Sequence, residues 1–176
     1  MTETVEQTVD LGCGSKKTPG ALGVDIYPFP GVDVVTDLNS GPWPLEDSRF
    51  SLVNIHHIIE HVADVVPFLQ EVHRIAKPGA RVVIITPHYS SMNSWADPTH
   101  LRHLASTWYE PFMAGGYLSG RTGVFALEYS RVKFGKSVRA WYPRLICRLF
   151  GQGLWEKHYA FRFPATDLHT VLTVVK

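Results

Sequence analysis

An α/β fold with a mostly parallel sheet follows from three features of the 176-residue chain. Short apolar runs alternate with glycine, proline and aspartate turns through the first half of the sequence. One amphipathic helical stretch lies between two such runs. The run at residues 81–86, Arg-Val-Val-Ile-Ile-Thr, has the continuous apolar character of a strand covered on both faces.

The elements follow in order. Thr8-Val9-Asp10-Leu11 leads straight into Gly12-Cys13-Gly14, a strand ending in a turn where glycine lets the backbone bend sharply and a ligand approach it. Residues 21–26 and 32–36 form the next two runs, ending at Asp25-Ile26-Tyr27-Pro28 and Asp37-Leu38-Asn39, and residues 50–56 form a fourth ending at His56. Val62, Val65, Val66, Leu69, Val72, Ile75 and Ala76 then recur at helical spacing. Asp64 is the expected N-cap, and Pro67 falls in the first turn, where its missing N–H costs little. Arg74 and Lys77 suit the C-terminal dipole, Pro78-Gly79 stops the helix, and His73 falls on its solvent side. Strand, helix and strand within roughly 35 residues imply a parallel pair with a right-handed crossover. Residues 124–134 and 170–175 are the remaining strand candidates.

With 45% hydrophobic and 19% charged residues, the chain reads as one compact globular domain and not as a disordered segment. No window approaches the roughly 20 apolar residues of a membrane span, and no apolar N-terminal stretch suggests a signal peptide. The expectation is a cytoplasmic protein whose Cys13 and Cys147 are reduced thiols. The formal net charge of +1 hides an asymmetry: residues 1–75 hold eleven acids and four bases, residues 76–176 five acids and thirteen bases. No acid occurs from residue 129 to 155, where Arg131, Lys133, Lys136, Arg139, Arg144 and Arg148 stand. Seven of the nine histidines lie between His56 and His103, a concentration that suits a titratable or metal-binding site.

Open parallel sheets bind ligands at the carboxyl ends of their strands, where the strand order reverses. The glycine turn, Asp25, Asp37 and His56 all fall on that edge. A dinucleotide would need a third glycine, a helix N-terminus for its pyrophosphate and an acid about 20 residues on. Here Asp25 comes eleven residues after Gly14, and Pro19 interrupts the segment between them, so the first crossover is a short loop. A ligand with a ribose and an adenine but no phosphates does not need that helix. S-adenosylmethionine is such a ligand.

At these residues the sequence resembles the class I S-adenosylmethionine-dependent methyltransferases, within them the small type 11 group. Val9-Asp10-Leu11-Gly12-Cys13-Gly14 is similar to the family's first motif, Gly23-Val24-Asp25-Ile26 to its ribose-binding strand, and Asp37-Leu38 to its adenine-binding position. Residues 50–62, ending Ile59-Glu60-His61-Val62, and residues 69–86 with Lys77-Pro78-Gly79 resemble its fourth strand, helix and fifth strand. Asp97-Pro98-Thr99-His100-Leu101-Arg102 is similar to a segment many members carry next. The resemblance implies a single methyltransferase domain over residues 1–176 with a Rossmann-like, doubly wound seven-stranded sheet whose last strand is antiparallel. It implies S-adenosylmethionine as cofactor, with Asp10, Gly12, Gly14, Asp25, Ile26, Asp37, Leu38 and His56 around it. The chain departs from the family in its shortened first crossover and in lacking N-terminal helices over the substrate. A lid must then come from residues 87–116 or from the basic, aromatic insertion at 136–158.

Methyl transfer is an in-line displacement whose main demand is alignment. A hydroxyl acceptor also needs a base, and histidine suits that role. Among His57, His61, His88 and His100, the expected base is His100, after the fifth strand and near Asp97 and Arg102, with His61 the second candidate. His57, Glu60 and His61 fall on one local turn, and two histidines with a carboxylate can hold a divalent ion. The zinc-protease motif is absent, since that needs Glu directly after the first His, and no metal is assigned. The expected acceptor is a small molecule or saccharide, which the basic half would suit if it is anionic. The insertion is read as a helix packing its apolar side on the sheet with arginines outside, against the rival of a grip on RNA, glycan or membrane. Nucleic acid is the least supported partner, and a homo-oligomer completing the lid stays open. The rival functions are a non-catalytic cofactor-binding or scaffold protein and a dinucleotide oxidoreductase.

Overall fold

The computed structural model describes residues 7–136 and 138–176. The expectation about N-terminal covering helices falls on residues outside those described. Strands β1 (Thr8–Leu11), β2 (Leu22–Asp25), β3 (Val34–Val35), β4 (Phe50–His56), β5 (Ala76–Pro87), β6 (Val124–Lys133) and β7 (Asp167–Val175) form one sheet in the order β3-β2-β1-β4-β5-β7-β6. The first five are parallel, and β7 runs antiparallel between β5 and β6. The chain winds outward from β1 to β3 and returns through β4 on the other side of β1. That reversal opens the ligand-binding crevice at the carboxyl ends of β1 and β4.

Helix α1 (Val65–Ile75) begins at Asp64, whose carboxylate accepts the Val66 N–H at 2.9 Å, and buries Phe68, Leu69, Val72 and Ile75 on the sheet. These meet Val9, Leu11, Val53, Ile55, Val82 and Ile84, the residues of alternating parity that face the same side. The opposite face explains a polar alternation in the sequence. Asp10 and Asn54 are paired neighbours there, both buried, and the loop between β1 and β2 lies over them. Asp10 accepts the Thr18 N–H at 2.7 Å, and Asn54 reaches the Thr18 hydroxyl at 3.4 Å. A loop that replaces a helix leaves its amides without internal partners, so the sheet face beneath supplies acceptors.

Three sequence expectations change. Strand β5 starts at Ala76 directly after the helix, with an irregularity in its pairing to β4 across residues 77–80, and its Val83 and Ile85 are half-buried, so it is fully covered on one face only. His73 does not face solvent: its Nε2 lies 3.0 Å from the Val175 carbonyl, and its ring meets Phe125 edge-on. Arg74 does more than face the helix dipole. Its guanidinium donates to both Glu71 carboxylate oxygens, to the Trp43 and Leu45 carbonyls and to Asp47, pinning the loop before β4.

After the short helices α2 (Met92–Ala96) and α3 (Ser119–Thr122), the insertion forms α4 (Trp141–Phe150) and α5 (Gln152–Tyr159). They enclose a second small core of Ile146, Trp155, Ala160 and Ala165, packed against Tyr89, Val132 and Phe134. Only Pro143 and Ile146 of α4 are buried, while Trp141 and Leu149 are 59% and 62% exposed, so the expected packing of its whole apolar side on the sheet does not occur. Glu156 of α5 ties the insertion to the segment after β5. Its carboxylate lies 3.0 Å from Nε2 of fully buried His88 and accepts the Ser106 amide at 2.9 Å and the Ser106 hydroxyl. Burial opposes the charge on Glu156, but these hydrogen bonds outweigh it and hold the carboxyl below its ordinary pKa. Among the described residues, no helix is long and apolar enough to cross a membrane.

Two stability tests follow. Arg74→Ala strands two carbonyls and the half-buried Glu71, and should cost about 2 to 4 kcal/mol in urea unfolding, with Arg74→Lys recovering only part because a single ammonium cannot reproduce the fork. Because the pKa of Glu156 is depressed in the fold, its contribution is complete above the ordinary glutamate value and is lost as pH falls through that range. The stability gap between wild type and Glu156→Gln should therefore narrow below about pH 4.5. A gap constant down to pH 3 would contradict it.

Candidate functional site

At the end of β1 the backbone turns through Gly12, whose φ of +69° suits glycine and where an added Cβ would lie 1.9 Å from Ile58 Cδ1. The Gly12 and Cys13 amides donate to the Val24 carbonyl at 2.7 and 3.1 Å, which folds the turn onto β2. Asp25, at the end of β2 and buried, accepts the Gly14 N–H at 2.8 Å and the Tyr27 N–H at 3.0 Å. Asp33 accepts from the Gly23 amide and the Lys17 ammonium, and these bonds hold its carboxyl below the usual range. Asp37 closes the far side. It accepts the Asn39 N–H at 2.9 Å, and Asn39 in turn accepts the Ala63 N–H at 2.7 Å, joining the loop after β3 to the entry of α1.

Between Asp25 and Asp37 lies a narrow cleft with Ile26, Leu38, Ile58 and Val62 on its walls. Carboxylates flanking an apolar slot suit a flat ring carrying hydroxyls. Of the residues expected around the cofactor, Gly12, Asp25, Ile26, Asp37 and Leu38 line this cleft. Asp10, Gly14 and His56 do not. Asp10 anchors the loop at Thr18, and Gly14 holds Asp25. His56 ends β4 with its Nε2 buried and without a hydrogen-bond partner, and burial lowers its pKa. Asn39, Ile58 and Val62 join the walls without having been singled out, although Ile58 and Val62 flank the Ile59-Glu60-His61 motif.

His61 lines this cleft and a second, more open one, whose walls include His57, Glu60, Pro87, Asn93, Asp97 and His100. The segment after β5 forms its roof: the Leu101 amide donates to the Glu60 carbonyl at 2.8 Å, and Arg102 donates to the carbonyls of Val62 and Ala63. This roof comes from within residues 87–116, one of the two segments the sequence offers for a lid. The insertion lines neither cleft.

The chemistry of this second cleft is set by Glu60, His61 and His100. Glu60 is 1% exposed; its Oε2 accepts the Thr86 hydroxyl at 3.0 Å, while Oε1 has no hydrogen bond. His57 Nδ1 approaches Oε1 at 3.4 Å, outside good hydrogen-bond geometry, yet Glu60 raises the pKa of this half-exposed imidazole. The His61 and His100 rings meet edge-to-face with centroids 4.6 Å apart. One donor atom from each of Glu60, His61 and His100 lies within 4.8 Å of the other two. Among the described residues the fold thus groups His100, and not His57, with Glu60 and His61. The other histidines of the rich stretch separate: His88 binds Glu156, and His103 stacks on Trp95 with centroids 3.5 Å apart.

A methyltransferase-domain family profile matches residues 29–84. A 2-phytyl-1,4-naphtoquinone methyltransferase of Nostoc punctiforme is 30% identical over 83 residues, 47% of this chain and 36% of that protein. An uncharacterized transposon protein of Streptomyces fradiae is 27% identical over 49% of this chain and 32% of its own. The chain spans about a third of the length of these curated relatives. Among solved structures, the methyltransferase bound to the Trm112 activator in Haloferax volcanii superposes with a TM-score of 0.64 at 17% identity, covering 97% of this chain and 83% of that one. A methyltransferase of Archaeoglobus fulgidus gives 0.63 at 18% identity, over 96% and 86%. With its 3-2-1-4-5-7-6 sheet and antiparallel β7, the chain has the fold of the class I S-adenosylmethionine-dependent methyltransferases, and its residues 29–84 match the methyltransferase-domain family.

Proposed function

We propose that the protein transfers the methyl group of S-adenosylmethionine to a hydroxyl of a small-molecule or saccharide-like acceptor. The observation that carries this reading is His61, shared by two adjoining clefts, one suited to an adenosine and the other walled by basic nitrogens. Asp25 supplies carboxylate oxygens for the ribose hydroxyls, Asp37 marks the far side, and Leu38 and Val62 give an adenine ring apolar walls. Asp10 and Gly14 support the glycine turn from behind. A sulfonium near the mouth of the first cleft then faces an acceptor in the second.

In the transfer, the acceptor oxygen attacks the methyl carbon, the carbon–sulfur bond breaks and its electron pair stays on sulfur, leaving S-adenosylhomocysteine. The acceptor's proton must leave. His100 is the proposed acceptor of that proton, with His61 beside it, because its geometry leaves the correct nitrogen bare. His100 Nδ1 lies 3.0 Å from the Ser94 carbonyl, which can only accept, so in the neutral ring Nδ1 carries the hydrogen and Nε2 the lone pair. His61 is held the same way. The Thr99 hydroxyl donates to Asp97 at 2.6 Å, so at 3.0 Å from His61 Nδ1 it can only accept, as does the Thr99 carbonyl at 3.3 Å.

Titration calorimetry with S-adenosylhomocysteine tests the cofactor half. Wild type should bind, and Asp25→Ala should weaken binding by about 10- to 100-fold, the loss of one or two hydrogen bonds to a charged group at roughly 1.5 kcal/mol each. Absence of binding in a folded wild-type sample sinks the reading. The acceptor half is tested with a panel of quinols, phenols and saccharides: His100→Gln should lower kcat by about 10²- to 10⁴-fold with cofactor affinity unchanged.

A further inference from the structure

We propose that Glu60, His61 and His100 form a binding site for a divalent transition ion, zinc or manganese in type, on the acceptor side of the cofactor cleft. The first observation is Glu60. Its side chain is buried to 1% exposure, its Oε2 is satisfied by Thr86, and its Oε1 has no hydrogen bond, with the half-exposed His57 ring approaching it only to 3.4 Å at Nδ1. A buried carboxylate oxygen left in that state needs a cation or a proton to complete it.

The second observation is independent and concerns the imidazoles. Thr99 fixes the tautomer of His61 and the Ser94 carbonyl that of His100, each by taking the Nδ1 hydrogen. A ring that donates Nδ1–H to a backbone carbonyl and keeps a bare Nε2 has the orientation and basicity of a metal-ligating histidine. The two rings and the Glu60 carboxylate stand together, each of the three residues offering one ligand atom within 4.8 Å of the others. Donors about 2.1 Å from a shared ion stand roughly 3 to 3.5 Å apart, so closure takes side-chain shifts of about an ångström. Two histidines and one carboxylate favour zinc, manganese or iron over magnesium and leave open positions for an oxygen ligand. The Asp97 carboxylate, 3.9 Å from His100 Nε2, stands at the edge of the same cleft.

The role of the ion rests on the proposed methyl transfer; the site itself does not. With the ion bound, the Nε2 lone pairs of His61 and His100 are ligands and no longer take the acceptor's proton. The acceptor hydroxyl in an open position is instead made acidic by the ion and loses its proton to water before its oxygen attacks the methyl carbon.

The test uses full-length protein without an affinity tag, treated with a chelator and titrated with Zn²⁺, Mn²⁺, Co²⁺ and Mg²⁺. One equivalent of Zn²⁺ should bind with micromolar or tighter affinity, Mg²⁺ at least about 100-fold more weakly, and Co²⁺ should give d–d absorption. Glu60→Gln and His100→Gln should each weaken Zn²⁺ by about 10-fold or more, remove the Co²⁺ absorption and leave S-adenosylhomocysteine affinity unchanged. The second variant keeps the test decisive if the first fails to fold. No stoichiometric uptake, or uptake untouched by both substitutions, overturns the site. If the ion binds as expected while S-adenosylhomocysteine does not, the methyl-transfer reading fails and the ion site stands.

Discussion

A parallel strand pair needs a crossover, and in this protein the first crossover contains no helix. Ten residues must pass from β1 to β2 with their amides unsatisfied by any helical ladder, and that constraint governs the whole cofactor edge. Acidic side chains resolve it. Within the crossover, Asp10 takes the Thr18 amide and Asp25 the Gly14 amide, and beside it Asp25 also holds the Tyr27 amide and Asp33 the Gly23 amide, with Lys17 behind Asp33. Much of the negative charge in the first half of the sequence therefore serves the backbone. The omitted helix also removes the partial positive charge that a pyrophosphate would seek, so the edge is built for a ligand without one.

The acceptor edge depends on a different constraint, the fastening of residues 97–102 across residues 60–63. Leu101 and Arg102 bind carbonyls that the entry to α1 leaves open, and this brings His100 against His61. Farther along, Glu156 binds His88 and Ser106, on the same segment as the roof. The basic insertion is thus a brace behind the lid and not the lid itself. Its arginines lie away from both clefts, and the division of charge along the chain does not translate into an acidic cofactor half facing a basic acceptor half.

What the sequence discloses and what it withholds divide along local and non-local lines. The strands, the Asp64 cap and the glycine turn are local signals, each written in a few adjacent residues. So are Asp25 and Asp37 as cleft residues, because strand ends in a parallel sheet share an edge by topology. The meeting of His100 with Glu60 is separated by forty residues of chain and depends on Arg102 reaching two carbonyls, which no periodicity records. Helical spacing likewise assigns His73 to a face without knowing that β6 and β7 will cover it. Arg74 looks like an ordinary helix-end cation until a loop with open carbonyls arrives beside it. For α4, amphipathicity marks an apolar side but does not say which part of it finds a surface to cover.

Asp25 carries one more implication. An ionised carboxylate offers about four lone-pair sites, and the amides of Gly14 and Tyr27 occupy two. Two remain, which matches the demand of a vicinal diol. In the proposed cofactor pose a ribose displaces neither amide, and the turn that shapes the cleft is already held before a ligand arrives. Association then draws little on reordering of the chain, and exchange of spent for fresh ligand proceeds against a wall that is already set.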